Sequence, residues 1–183
     1  MEFIKLEKVN DGKYLKNYEL TYINKTGKEK KYEIVSMKEL HELTDLGKVP
    51  SGLSIIATCG DKLLLLHEFR MGINKRIYNL CAGMIEEGET VEECVRRELF
   101  EETGLELKLV KKILPASYSA VGITDLKTYL VFIEVEGTIT DEYASANEDI
   151  YASLYSKEEV LTLLENEEFS SRAQLAAYYF TQS

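Results

Sequence analysis

Three glutamates, Glu98, Glu101 and Glu102, stand at positions i, i+3 and i+4 of a segment that reads as a helix. At about 100° per residue, this spacing puts their carboxylates on one face. Val91, Cys94, Val95 and Leu99 define the apolar side, and the acidic face overlaps the arc of Val91, Cys94 and Val95, with Arg96 and Arg97 elsewhere. The carboxylates thus border the buried stripe instead of lying opposite it. Two readings are open. Most charge runs are simply a solvated face, although each like-charge i,i+4 pair then costs about 0.2–0.5 kcal/mol. Near a core the repulsion rises to about 4 kcal/mol for two carboxylates ~4 Å apart at an effective dielectric of ~20. Carboxyl groups so placed either take up protons or are joined by a cation. A cluster of hard oxygens suits Mg²⁺ or Mn²⁺ and not zinc.

Other reactive side chains offer less. Cys59, Cys81 and Cys94 are odd in number and form no Cys-x-x-Cys pair, which argues against a disulfide framework or a zinc ribbon. They read as reduced, mostly buried thiols. His41 and His67 show no ligand spacing, and His67 lies within the apolar run Leu63–Phe69, where a sheet residue is expected.

The elements that must position the glutamates are well marked. Thr90-Val91-Glu92-Glu93 is a capping box, so the helix starts at Val91. Gly104 suits the position just past its end, where positive φ is common. Leu53–Cys59 and Lys62–Phe69 read as strands joined by Gly60-Asp61, a hairpin signal. Ile77–Cys81, Leu107–Leu114, Leu126–Val135 and Ile150–Tyr155 are further strands. Ser156-Lys157-Glu158-Glu159 opens a helix through Leu164, and Ser171–Phe180 forms a last one. Upstream, Tyr18–Asn24 and Lys31–Met37 flank the turn Asn24-Lys25-Thr26-Gly27-Lys28 and predict a β-hairpin, with Phe3–Val9 as a third strand. The expected class is α/β (α+β), a mixed sheet with helices. Residues 1–50 form a hairpin extension suited to dimerisation, and residues 51–183 form the main domain.

Composition bounds the partners. The 183 residues carry a net charge of −10. That disfavours nucleic-acid polymers, which need clustered Lys and Arg, and docking on anionic membranes. No apolar run approaches the length of a membrane span. The N-terminus has no apolar signal core, so a cytoplasmic protein is expected. The acidity is concentrated: residues 83–105 hold eight Glu against two Arg.

That same segment runs Gly83, five residues, Glu89, seven residues, then Arg97-Glu98-Leu99-Phe100-Glu101-Glu102-Thr103-Gly104-Leu105. It resembles the complete box of the Nudix hydrolases, with every fixed position occupied. The resemblance implies the Nudix fold, a mixed sheet between helices with the box forming a loop–helix–loop. It also implies Mg²⁺-dependent hydrolysis of a nucleoside diphosphate linked to another moiety. By position, Glu98 and Glu102 would be metal ligands and Glu101 a ligand or general base. The Ala82 carbonyl would be a further ligand, Arg97 would orient the glutamates, and Glu89 would hold the loop to the helix. A metal would let an acidic protein accept a small polyanion.

From about Ser51 onward the chain resembles the ADP-sugar pyrophosphatase branch. His67-Glu68-Phe69-Arg70 is similar to that branch's Glu-Gln-Tyr/Phe-Arg, and Asn79-Leu80-Cys81-Ala82-Gly83 to its Glu-Leu-Pro-Ala-Gly. Arg70 reads as a surface cation or as a phosphate or ribose contact, and Gly83 as a substrate-site glycine. The branch's downstream Ser-Pro-Gly-x-x-x-Glu falls on Ser119 to Leu126, where the proline is missing and the nearest acid is Asp125. Asp125 is therefore either a loop base or a capping residue, with Glu148 and Asp149 as alternative loop acids. The expected substrate is ADP-ribose or another nucleoside diphosphosugar, giving AMP and a sugar phosphate. The rival expectations are a housecleaning hydrolase of dinucleoside polyphosphates, coenzyme A or oxidised nucleotides, and a nucleotide-sugar sensor without turnover.

Overall fold

The structure, a computed structural model, describes residues 1–143, 145, 147 and 149–182, so Glu148 lies outside the described residues. Two compact units emerge, one of Met1–Ser51 with Ala116–Thr128 and the other of Gly52–Pro115 with Tyr129–Ser183.

In the first unit β1 (Glu2–Asp11), β2 (Lys16–Ile23) and β3 (Glu29–Ser36) form an antiparallel sheet in that order. The β2–β3 turn is made by Asn24, whose Oδ1 accepts the N–H groups of Thr26 (2.9 Å) and Lys28 (3.1 Å). Such Asx geometry lets a side chain replace a backbone turn partner. Tyr18, Leu20, Ile34 and Leu40 form a small buried cluster. Inside it the Tyr18 hydroxyl accepts the Leu40 N–H at 2.8 Å, so that buried donor is paired. The hairpin also recruits residues from far downstream. The Val35 N–H donates to the Ile123 carbonyl (2.8 Å), and the Tyr32 hydroxyl donates to the Gly122 carbonyl (2.9 Å).

The second unit carries β4 (Gly52–Cys59), β5 (Lys62–Arg70), β6 (Lys75–Asn79), β7 (Cys81–Met84), most of β8 (Glu106–Tyr118) and of β9 (Lys127–Glu136), and β10 (Ile150–Tyr155). Its sheet has the order β10-β5-β4-β9-β8, with β6 paired to β5 and β7 to β4. The helices are α1 (Val91–Thr103), α2 (Lys157–Asn166) and α3 (Ser171–Gln182). The single strand expected over Ile77–Cys81 is two strands that part at Leu80.

Alternation along the strands explains the layering. Leu64 and Leu66 of β5 join Leu53, Ile55 and Ala57 of β4 and pack on Cys94, Val95 and Leu99 of α1. Leu63 and Leu65 face the other way, onto Val160 of α2 and Ala173 and Ala177 of α3. The run Leu63–Leu66 is continuous because both faces of β5 are covered. The pairing of β7 with β4, Ser54 opposite Ala82 and Leu53 opposite Gly83, fixes the start of the acidic segment on the same sheet that α1 packs against.

Candidate active site

The geometry of the acidic segment begins with its caps. Thr90 Oγ1 accepts the Glu93 N–H at 3.3 Å, while Glu93 Oε2 accepts the Thr90 N–H at 2.8 Å, so two donors at the helix start are satisfied reciprocally. Gly104 ends the helix at φ 70°, donating its N–H to the Phe100 carbonyl. Cys94, Val95 and Leu99 are fully buried. At roughly 1.5–3 kcal/mol for each large apolar side chain, that burial outweighs the repulsion along the acidic face.

Arg97 organises the carboxylates. Its Nε and Nη2 bind the two oxygens of Glu89 at 2.8 and 2.9 Å, a bidentate pair that ties the loop before the helix to the helix itself. Nη1 donates to Glu98 Oε1 at 2.7 Å and to Glu101 Oε2 at 3.4 Å, and Nη2 also reaches the Met84 carbonyl at 3.0 Å. Hydrogen bonding from Arg97 holds the Glu89 carboxyl down at about 2. In return, bonding to Glu89 raises the Arg97 guanidinium above its usual range.

The remaining carboxylates lie against β7. Glu102, 8% exposed, accepts the Ala82 N–H at 3.2 Å. A Cβ on Gly83 would fall 1.8 Å from the Glu98 carboxylate, so the glycine is required by the close approach of Glu98. Glu98, Glu102, Ala82, Gly83 and Arg97 are thus brought together, and Glu101 joins them through Arg97 with its side chain half exposed. Neighbouring thiols are inert. Burial pushes Cys94 up to about 12 and Cys81 well above the ordinary thiol range, so neither supplies a thiolate.

As a donor set, three carboxylates and a backbone carbonyl fit a hard divalent cation. Among the described residues, no three acidic, His or Cys side chains converge into a ready-made cage. Glu98 and Glu101 instead turn to Arg97, and Glu102 to the Ala82 N–H. The residues fit the ion in kind, and closing around it requires the carboxylates to turn.

A cleft of about 490 Å³ opens beside Ala82 and Glu102, and Arg70, Glu68 and Asn79 also line it. Arg70 is exposed, with Nη1 3.5 Å from Glu68 Oε1. Asp149, also lining the cleft, pairs with the Arg76 guanidinium. Asp125 belongs to the first unit, where its Oδ2 accepts the Gly47 N–H at 3.1 Å. Sequence reasoning assigned no role to Glu68 and Asn79. Glu68 is 7% exposed and accepts the Asn79 amide at 2.5 Å. The available signal was a carboxylate two residues past the four-leucine run of β5.

Comparison with known proteins bears on the family and the fold. A NUDIX domain model matches residues 48–178. ADP-sugar pyrophosphatase of Mus musculus is 30% identical over 136 residues, which cover 72% of this chain and 60% of that protein. ADP-ribose pyrophosphatase of Bacillus subtilis is 28% identical over 177 residues, 94% of this chain and 88% of that one. The chain thus spans less than two thirds of the mouse protein's length but most of the bacterial one. A crystal structure described as an ADP compounds hydrolase superposes with a TM-score of 0.75 at 18% identity, over 98% of this chain and 91% of that one, and establishes likeness of fold. The chain belongs to the Nudix family.

Proposed function

We propose that this Nudix family member is a pyrophosphohydrolase. It cleaves the diphosphate of ADP-ribose or a related nucleoside diphosphosugar, with Mg²⁺ or Mn²⁺, to AMP and a sugar phosphate. The observation that carries the reading is the cleft lined in common by Glu102 of the box, the adjoining Ala82 and Arg70. It offers, within one concave site, carboxylates for a cation and a cation for a phosphate. The pyrophosphatase names of the mouse and Bacillus relatives supply the substrate class.

Glu98, Glu102 and the Ala82 carbonyl would hold the ion, with Glu101 beside them. An ion held there supplies positive charge for the phosphate oxygens and a more acidic water. Arg97 neutralises Glu98 and Glu101 and sets their direction. Glu89, locked to Arg97 through two bonds, keeps the box loop against α1 so that this direction persists. Arg70 faces the diphosphate and, as a planar guanidinium, can bond two of its oxygens at once. Glu101, half exposed, is the proposed acceptor of the proton from the attacking water. Asp125, whose carboxylate receives the Gly47 N–H, is proposed to hold its own loop. We assign the protein to the cytoplasm because its three cysteines are unpaired, and to a homodimer because β1 leaves Ile4 and Val9 exposed on a sheet edge. Light scattering at the mass of one chain would reject the dimer.

The test of function is a panel of ADP-ribose, ADP-glucose, NADH, coenzyme A, diadenosine polyphosphates and deoxynucleoside triphosphates, assayed for product release with Mg²⁺ or Mn²⁺. The expected result is fastest turnover of ADP-ribose or another diphosphosugar. Preference for a substrate without a sugar diphosphate would point to a housecleaning hydrolase, and no turnover to a sensor.

A further inference from the structure

A buried carboxylate in a cleft meant for a polyanion needs a physical reason. Glu68, on β5, is 7% exposed and lines the cleft together with Arg70 and Asn79. One oxygen, Oε1, carries both contacts: the Asn79 amide donates to it at 2.5 Å, and the Arg70 guanidinium lies 3.5 Å away. Asn79 is itself fixed, because its Oδ1 accepts the Ser170 hydroxyl at 2.5 Å. Ser170 is tied in turn to β6 and to α3, its N–H donating to the Tyr78 carbonyl and its carbonyl accepting the Gln174 N–H, both at 2.9 Å. A chain of hydrogen bonds therefore runs from the start of α3 through Ser170 and Asn79 to Glu68, and an ion pair at 3.5 Å extends it to the exposed Arg70.

We propose that Glu68 is the positioning residue of Arg70. The Ser170–Asn79–Glu68 chain holds one carboxylate oxygen where it orients the Arg70 guanidinium toward the diphosphate of the substrate. The carboxylate acts through the arginine and does not meet the substrate, so its contribution is to binding and not to the chemical step. Preorganising a long flexible side chain removes the rotamer entropy that would otherwise be lost when ligand binds. The inference rests on the reading of Arg70 as a phosphate contact, and its test separates the two.

The test uses the full chain and two readouts, KM and kcat for ADP-ribose with Mg²⁺ and calorimetric binding of ADP-ribose in EDTA, where turnover is not required. The near-isosteric Glu68→Gln should raise KM and the dissociation constant about tenfold, with kcat within about twofold and an unchanged melting temperature. Arg70→Ala should weaken binding at least as much, and adding Glu68→Gln to it should cost nothing further. The reciprocal pair, Glu68→Gln with Asn79→Glu, should return KM to within about threefold of the parent. Unaltered binding in Glu68→Gln, or additive losses in the double variant with Arg70→Ala, would overturn the proposal. So would a reciprocal pair no better than Glu68→Gln. Unaltered binding in Arg70→Ala would bring down the role of Arg70 first. Absence of turnover by the parent protein, with binding intact, would bring down the hydrolase reading and leave the positioning result standing.

Discussion

Asp45 and Asp125 of the first unit and the glutamates of the α1 segment in the second use their carboxylates in opposite ways. In the first unit Asp45 accepts the N–H groups of His41 (2.9 Å) and Glu42 (3.1 Å), and Asp125 accepts that of Gly47. Those N–H groups hold Asp45 below the ordinary carboxylate range. Asp45 and Asp125 each terminate a stretch of loop backbone, which is the usual work of Asp in a loop. In the second unit Glu89, Glu98 and Glu101 converge on a single guanidinium, and Glu102 is pressed against β7. No turn geometry requires Glu98 and Glu101 to share a cation. Acid count therefore says little about where chemistry lies. Convergence says more: three carboxylates of one segment, Glu89, Glu98 and Glu101, crowd around the single guanidinium of Arg97.

The sharpest way to break this contrast is to neutralise one acid of each kind. Glu102→Gln should lower kcat about 10³-fold, roughly 4 kcal/mol of barrier, with the melting temperature within a few degrees of the parent. Activity that survives at millimolar Mg²⁺ would remove Glu102 from the metal site. Gly83→Ala should come next. The added methyl would overlap the Glu98 carboxylate, so about a 100-fold loss of kcat is expected, along with about 1–3 kcal/mol of stability from overpacking. A fully active Gly83→Ala would mean that Glu98 is free to leave that position without consequence. For Asp125→Asn in the first unit, a change in kcat below about fivefold is expected, because the asparagine oxygen can still accept the Gly47 N–H. A loss in the 10²–10⁴ range typical of a missing general base would transfer that role to Asp125.

The smallest effect concerns acid stability. The Glu89 carboxyl is held at about 2 in the folded state, well below the ordinary 4.5 of a glutamate. A depressed folded value means that the Glu89–Arg97 pair stabilises fully above about pH 4.5 and ceases to as pH falls through about 2. The melting temperature of the parent should fall more steeply across that window than that of Glu89→Gln. Superimposable acid limbs would show that the pair orients side chains without adding stability.

Legibility in the sequence followed the range of the interactions. The helix α1 could be read to its ends because its signals, Thr90 with Glu93 and Gly104, act within one turn. The four-leucine run of β5 was equally plain. The break at Leu80 was not, because β7 owes its existence to pairing with β4, some thirty residues earlier, and Gly83 in its middle reads as loop. Recruitment of residues 116–128 to the N-terminal sheet depends on the long-range contacts of Val35 and Tyr32 and left no local pattern. At the site the acidic face was visible from helical spacing alone, and the resemblance placed the roles of Arg97 and Glu89. The Glu68–Asn79–Ser170 chain was invisible, since its members sit on β5, β6 and the start of α3 and only the fold joins them.

The central claim is that the crowded acids of α1 serve a cation that lets this protein split a sugar diphosphate. It is tested most directly by following AMP release from ADP-ribose with Mg²⁺ and with EDTA. The account predicts AMP and ribose 5-phosphate in equal amounts with Mg²⁺ and none in EDTA. AMP release at an undiminished rate in EDTA would contradict it.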